Sequence, residues 1–199
     1  RSWISSSGNL NLSVLIRDVP KEFYLVFPIL VGWEVFQALY SYSDRIRLKW
    51  PNDIVVREEE RLFKLGGILC EGDSGSENSF LVVGVGINCL ESPKIEGRET
   101  IALSKVSSTE VHIDELRESI YKRLIGGLTF INSQYVKGAI EGFQRYLAFG
   151  VGEQLSWKSL KGDSETGRFL RIDRDGQLWV RLTEGQDKRL LNEEVSISL

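Results

Sequence analysis

Residues 45–88 read RIRLKWPNDIVVREEERLFKLGGILCEGDSGSENSFLVVGVGIN, and this stretch decides the fold. Arg45–Trp50 alternates strictly: Arg45, Arg47 and Lys49 fall on one face, Ile46, Leu48 and Trp50 on the other. That period of two is the pattern of a strand buried on one side. Pro51-Asn52-Asp53 interrupts the run, and Ile54–Val56 resumes it. Arg57–Arg61 (REEER) predicts a solvated hairpin tip. Phe63–Glu71 and Phe80–Asn88 follow as two further strands, joined by the turn-rich Gly72–Ser79. Consecutive strands without a helix between them predict an antiparallel meander and exclude a βαβ series.

Working outward, Asn9–Arg17 alternates as a strand that Pro20 ends. Phe27–Tyr42 is apolar all round and predicts a largely buried helix; Pro28, Gly32, Glu34 and Gln37 interrupt it too often for a membrane span. Cys89–Ser108 predicts a long loop. Ile113–Gln134 predicts a helix with Leu116, Ile120, Leu124, Leu128 and Ile131 down one face, weakened by Gly126-Gly127. Val136–Tyr146 predicts a second helix. After Gly150 the texture changes to short strands at Gln154–Lys158, Gly167–Ile172, Gln177–Leu182, Asp187–Asn192 and Val195–Leu199, with an Asp175-Gly176 hairpin signal. The expectation is an α+β chain of two domains, 1–149 and 150–199, the second a small β-barrel.

The chain has 199 residues, long enough to bury a core without staples. Lys and Arg total 25 against 28 Asp and Glu, a net charge of −3, so no global positive field favours nucleic acid and no polybasic tail favours a membrane surface. Two cysteines, Cys70 and Cys89, exclude a disulfide scaffold and, with no signal-like N-terminus, point to the cytoplasm. The chain has no Met and begins at Arg1, where ordinary composition would give roughly four Met in this length; it is therefore expected to be N-terminally incomplete.

Several chemistries drop out. Gly84-Val85-Gly86-Ile87-Asn88 lacks the third glycine of a dinucleotide fingerprint, and no Walker A sequence is present. One histidine, His112, and two cysteines cannot supply a four-ligand zinc site, and His112 sits where a helix cap would. Asp173-Arg174-Asp175-Gly176 begins like a calcium loop but lacks the later acidic ligand. Two constellations remain. By strand parity Lys64 and Gly66 share one face with Gly67 on the other, and Gly84, Gly86 and Asn88 share a face in the next strand. Glycines weaken strands and often mark a close approach of ligand or backbone, so a flat ligand could lie on a glycine floor edged by Lys64 and Asn88. The alternative is that the glycines only let a helix pack closely. Lys49-Trp50-Pro51-Asn52-Asp53 gathers a cation, an amide and a carboxylate at a kink; Lys49 could neutralise phosphate and Asp53 hold magnesium, or the segment is an ordinary solvated turn.

Trp3, Ser5, Gly8-Asn9-Leu10 and Ser13, then KWPND at 49–53, KLGGIL at 64–69 with Glu71, and VGVGIN at 83–88 occur in an order that resembles the biotin–protein ligases. Gly167, Ile172-Asp173, Gly176 and Leu178 resemble the SH3-like domain that ends these enzymes. The resemblance implies a class II synthetase-like mixed sheet with helices, followed by an SH3-like β-barrel. It implies a ligase that joins biotin to ATP as biotinyl-5'-AMP, with Mg2+, and passes biotin to a lysine of a biotin carboxyl carrier protein, as a monomer or a homodimer. Carried over residue by residue, Lys64 would hold the biotin carboxylate and the acyl-phosphate oxygen. Asn88 would contact adenine, and Arg1 would reach the phosphates. Trp3 would pack beside biotin and the nucleotide. Asn52 and Asp53 would organise phosphate and Mg2+ near Lys49, with Asp53 assisting the attacking lysine. Gly66, Gly67, Gly84 and Gly86 would wall and floor the biotin pocket. Only Arg1 and Ser2 stand where the family's Gly/Arg loop would end, and the upstream biotin contacts are absent. A non-catalytic ligase-like binding protein and a lipoate-type ligase are the alternative readings.

Overall fold

Alternation in residues 45–88 produces the expected meander, and the computed structural model describes residues 7–73, 79–159, 164–191 and 195–198. Strands β1 (Leu10–Arg17), β2 (Ile46–Lys49), β3 (Asp53–Glu58), β4 (Arg61–Asp73) and β5 (Phe80–Ile87) form one antiparallel sheet in the order β1-β5-β4-β3-β2. The tip between β3 and β4 is tighter than the sequence predicts. Arg57, Glu58 and Arg61 are paired within the strands, which leaves Glu59 and Glu60 as the loop, Glu59 in the left-handed region at φ 54°.

One face of the sheet is covered. Ile46, Leu48, Ile54, Val56, Val83, Val85 and Ile87 are buried on that face. The helix α1 (Phe27–Leu39) packs there, with α2 (Ile113–Thr129) and α3 (Ser133–Arg145) against it. A 3-10 turn over Lys21–Val26 leads into α1, a helical element that the sequence does not signal. Together Lys21–Leu39 is long and apolar enough to cross a membrane, but it is mostly buried inside the protein as the core helix. Glu34 on α1 is buried among α2 and α3, where it accepts a hydrogen bond from Tyr135 Oη (2.8 Å) and one from Gln37 Nε2 (3.1 Å), with Arg123 at 3.7 Å.

The two helices expected over 113–134 and 136–146 are present, but the break between them comes earlier than the sequence predicts. Leu116–Leu128 keeps its apolar stripe, but α2 ends at Thr129, and Asn132 starts α3 by accepting the N–H groups of Gln134 and Tyr135 on its side chain. The cap wins because it satisfies donors that would otherwise be orphaned at a helix start.

After Phe149, β6 (Gln154–Ser159), β7 (Ser164–Ile172), β8 (Leu178–Leu182), β9 (Asp187–Leu190) and β10 (Val195–Ser198) make a second antiparallel sheet, order β10-β6-β7-β8-β9. The register of β7 on β8 shifts between Phe169 and Arg171. β9 is shorter than the expected 187–192; Asn192 and Leu199 lie outside the described residues. The hairpin turn at Asp175-Gly176 is as expected, with Gly176 at φ 77°. The two sheets touch directly: Trp50 Nε1–H donates to Gly176 O at 2.9 Å, and residues 146–148 run beside β2.

Candidate active site on the open face of the first sheet

Lys49, Asp53, Gly67, Gly86 and Asn11 lie in one row across all five strands, paired residue to residue. In a second row of the same face, two residues along, Leu69 opposes Gly84 and Gly84 opposes Ser13. Because side chains alternate along each strand, this row set forms the uncovered face. Leu69 and Leu15 there are about half exposed, while Ile68 and Val83 point into the core. The glycine floor of Gly67, Gly84 and Gly86 is therefore real and open. A Cβ added at Gly84 would meet only Leu69, at ordinary contact distance, 3.6 Å.

The parity expected for Lys64 is broken. The register slips between Ile54 and Val55, so that Val55 opposes Lys64 and Ile54 opposes Gly66, with Leu65 extra. This β-bulge re-aims a side chain, as bulges beside functional sites do. Lys64 consequently shares the open face with Gly67: its Nζ would lie 3.2 Å from a Cβ at Gly67, and it is ion-paired with Asp53 Oδ1. Gly66 is turned to the opposite side, where a Cβ would come within 2.5 Å of Ile87 Cδ1 and 2.7 Å of Gly86 O. Gly66 thus serves close packing beneath the floor and is not part of the floor. The bulge is held open by the segment after β5. Lys64 N–H donates to Glu99 O (2.9 Å), and Ile101 N–H donates to Lys64 O (3.0 Å).

Lys49 stands in register with Asp53 and is partly buried. That burial lowers the pKa of its ammonium, Asp53 opposes the shift, and Arg98 and Lys64 add to it. Three cations thus face one carboxylate, a charge balance that favours an anion. Arg98 has no signal in the sequence reading; it follows Gly97 in a loop with no hydrophobic period, and only the folding of residues 99–101 onto β4 brings it near. Asn52 differs from expectation. Its side-chain Nδ2–H donates to Ile68 O (2.7 Å) and its backbone carbonyl accepts Ile68 N–H (2.9 Å), so Asn52 is engaged in tying the Pro51 kink to β4.

Asn88 follows β5 and is buried at 2% exposure. Its Nδ2 donates to Lys64 O (3.3 Å) and Ile101 O (3.4 Å), whereas Oδ1 has no hydrogen-bond partner among the described residues. A buried acceptor left unpaired is costly and marks a place for a donor. The remaining expected residues, Arg1 and Trp3, lie outside the described residues. Among the described residues no group of three or more His, Cys, Asp or Glu could hold a metal. Cys70 is no nucleophile: burial pushes its thiol up to about 12.

A floored sheet face with converging cations defines a site for a flat, anionic ligand. Residues 1–88 match the model of the biotin/lipoate A/B protein ligase family. The chain is similar to biotin–protein ligases, the likeness that KWPND, KLGGIL and VGVGIN lead one to expect. It is 26% identical over 200 residues to the bifunctional ligase/repressor BirA of Bacillus subtilis, covering 94% of this chain and 58% of that protein. The chain thus spans little more than half the length of the curated relatives it matches. Among solved structures, the biotin protein ligase of Aquifex aeolicus superposes with a TM-score of 0.77 at 26% identity, over 96% of this chain and 82% of that one. The same enzyme in complex with biotin and ATP gives 0.79 at 25% identity, over 100% and 82%.

Proposed function

We propose that the chain carries the catalytic part of an ATP-dependent biotin–protein ligase, which makes biotinyl-5'-AMP and transfers biotin to a lysine of a biotin carboxyl carrier protein. The observation that carries this reading is the bulge that sets Lys64 over Gly67 and against Asp53, with Lys49 beside them, at the end of an open glycine floor. The likeness to a ligase solved with biotin and ATP supports it.

In the first half-reaction a carboxylate oxygen attacks the α-phosphorus, an acyl–O–P bond forms, and pyrophosphate leaves. Two anions must meet, so fixed positive charge is the main requirement. Lys64 holds the biotin carboxylate and the oxygen that bridges to phosphorus. Lys49 sits where it can offset phosphate charge, with Asp53 keeping the Lys64 ammonium in place. The unpaired Asn88 Oδ1 suits the exocyclic amine of adenine, a donor at the edge of a flat ring. Gly67, Gly84 and Gly86 leave room for the ring system of biotin. In the second half-reaction the carrier's lysine nitrogen attacks the acyl carbon and AMP leaves; Asp53 is the carboxylate placed to take the amine's proton.

The single Asp53 carboxylate fits Mg2+ only as an ion that arrives largely ligated by phosphates, since Mg2+ is commonly held by one or two carboxylates plus substrate oxygens. When bound it would offset phosphate charge. We read the second sheet as the SH3-like barrel and residues 150–199 as its domain. A five-stranded meander whose last strand returns beside its first, with a register shift in β7 where the sheet can bend, supports this. Two unpaired thiols support a cytoplasmic setting.

The test is a transfer assay with biotin, MgATP and a biotin carrier domain, following the carrier's mass. A gain of one biotin that needs ATP and Lys64 is the expected result. A gain with lipoic acid and none with biotin would instead favour a lipoate ligase, and no gain with either acid a binding protein.

A further inference from the structure

The segment that carries Lys49 and Asp53 lies at the β2–β3 side of the first sheet, and it is held from the C-terminal half of the chain. Leu48 N–H donates to Tyr146 O (2.9 Å), Ala148 N–H donates to Leu48 O (2.8 Å), and Arg57 Nη1 donates to Ala148 O (2.8 Å). Trp50, between Lys49 and Asp53, is 1% exposed, and its indole N–H reaches Gly176 O in the turn between β7 and β8.

That turn is built to hold its place. Gly176 presses so closely on the first sheet's core helix region that a Cβ would lie 3.0 Å from Ile29 Cγ1 and 3.2 Å from Val26 Cα. Its φ of 77° is the left-handed region that glycine adopts without strain. The Asp173 carboxylate braces the turn from within. It accepts the N–H groups of Asp175 and Gln177 (both 3.0 Å), Trp179 Nε1–H (2.9 Å) and Arg189 Nε–H (2.8 Å). The backbone closes the same turn through Gly176 N–H to Asp173 O and Asp173 N–H to Gln177 O, both 2.9 Å. By contrast, the glycine floor belongs to β4 and β5 at the centre of the sheet.

We propose that the turn Asp173–Gln177 is a positioning element for the phosphate end of the site, acting through the Trp50–Gly176 hydrogen bond on the Lys49–Asp53 segment. Trp50, Gly176 and Asp173 are positioning residues; none of them is assigned a contact with a substrate. This rests on the ligase reading, in which Lys49 meets the phosphates of ATP, while Lys64, held by Asp53, and the glycine floor take the acid. The consequence is a split between substrates. Slackening the turn shifts Lys49 and so disturbs ATP, whereas Asp53 and Lys64 stay tied to β4 and leave the acid's seat intact.

Trp50→Phe keeps the ring and removes only the donor. The experiment measures KM for ATP and KM for biotin in adenylate formation, with a thermal melt of each protein. Expected is a three- to tenfold rise in KM for ATP, the scale of one buried hydrogen bond, with KM for biotin within twofold. Asp173→Ala, whose site of change is remote from the floor, should reproduce the same split and serves if Trp50→Phe does not fold. Equal changes in both KM values, or a lowered melting temperature with both KM values unchanged, would overturn the proposal and leave the turn a purely structural contact. A wild-type protein that forms no adenylate at all would sink the ligase reading and this inference with it. A wild type that turns over while both variants match it sinks the inference alone.

Discussion

Removing the Lys64 ammonium leaves Asp53 facing Lys49 and Arg98 without the cation that sits on the floor. Lys64→Ala should therefore lower adenylate formation by about 10²–10³-fold, the cost typical of losing one preorganised charge stabiliser, while the melting curve stays close to wild type. Gly66 and Gly84 make an opposed pair. A methyl at Gly66 would strike the Gly86 carbonyl and Ile87, so Gly66→Ala should destabilise by about 1–3 kcal/mol in denaturant titration. Gly84→Ala meets no such obstacle, so its effect should appear in KM for biotin with stability within about 0.5 kcal/mol of wild type. At this scale the sequence named Lys64, Asp53, Lys49 and the floor glycines, because charged and glycine residues inside strands are conspicuous. It misassigned the face of Gly66, because the bulge at Leu65 is imposed by residues 99–101, far along the chain. Arg98 was illegible for the same reason.

At the scale of elements, the five strands of the first sheet were legible in the sequence, two of them from strict alternation, with only the ends of β3 and β4 running further than expected. Helix limits were not, because Ile131 continues the apolar stripe of α2 while Asn132, one residue later, caps a new helix. Asn132→Ala should lower stability by about 1 kcal/mol, read as a shifted denaturation midpoint with an unchanged slope. The junction of α1, α2 and α3 holds a titrating group. Burial raises the pKa of Glu34 above the ordinary value of 4.5, against the bonds from Tyr135, Gln37 and Arg123 that lower it. The folded protein therefore binds more protons than the unfolded chain between the ordinary and the raised value, and stability falls as pH rises through that window. Glu34→Gln should flatten this part of the stability–pH curve.

For the whole molecule, the opposite sign applies at Asp173. Its burial would raise the pKa, but the bonds from Trp179, Gln177, Arg189 and Asp175 outweigh that and lower it below 3.8. Its contribution is complete above the ordinary value and is lost as pH falls through the lowered one. Because this carboxylate braces the turn on which Trp50 rests, acid should loosen the contact between the two sheets before either sheet melts. A chain cut after Phe149 should melt several degrees lower than the whole, since it uncovers Val26 and Ile29 and takes Phe169 from the edge of Phe149. The change to short strands after Gly150 is plain in the sequence, but a hydrogen bond between residues 50 and 176 has no local sign. The two free thiols, Cys70 on β4 and Cys89 just after β5, both belong to the first sheet, and burial raises the pKa of each. A thiol-labelling reagent added to the native protein meets the half-buried Cys70 directly, whereas labelling of the buried Cys89 is a clock that counts openings of the first sheet and is blind to those of its partner.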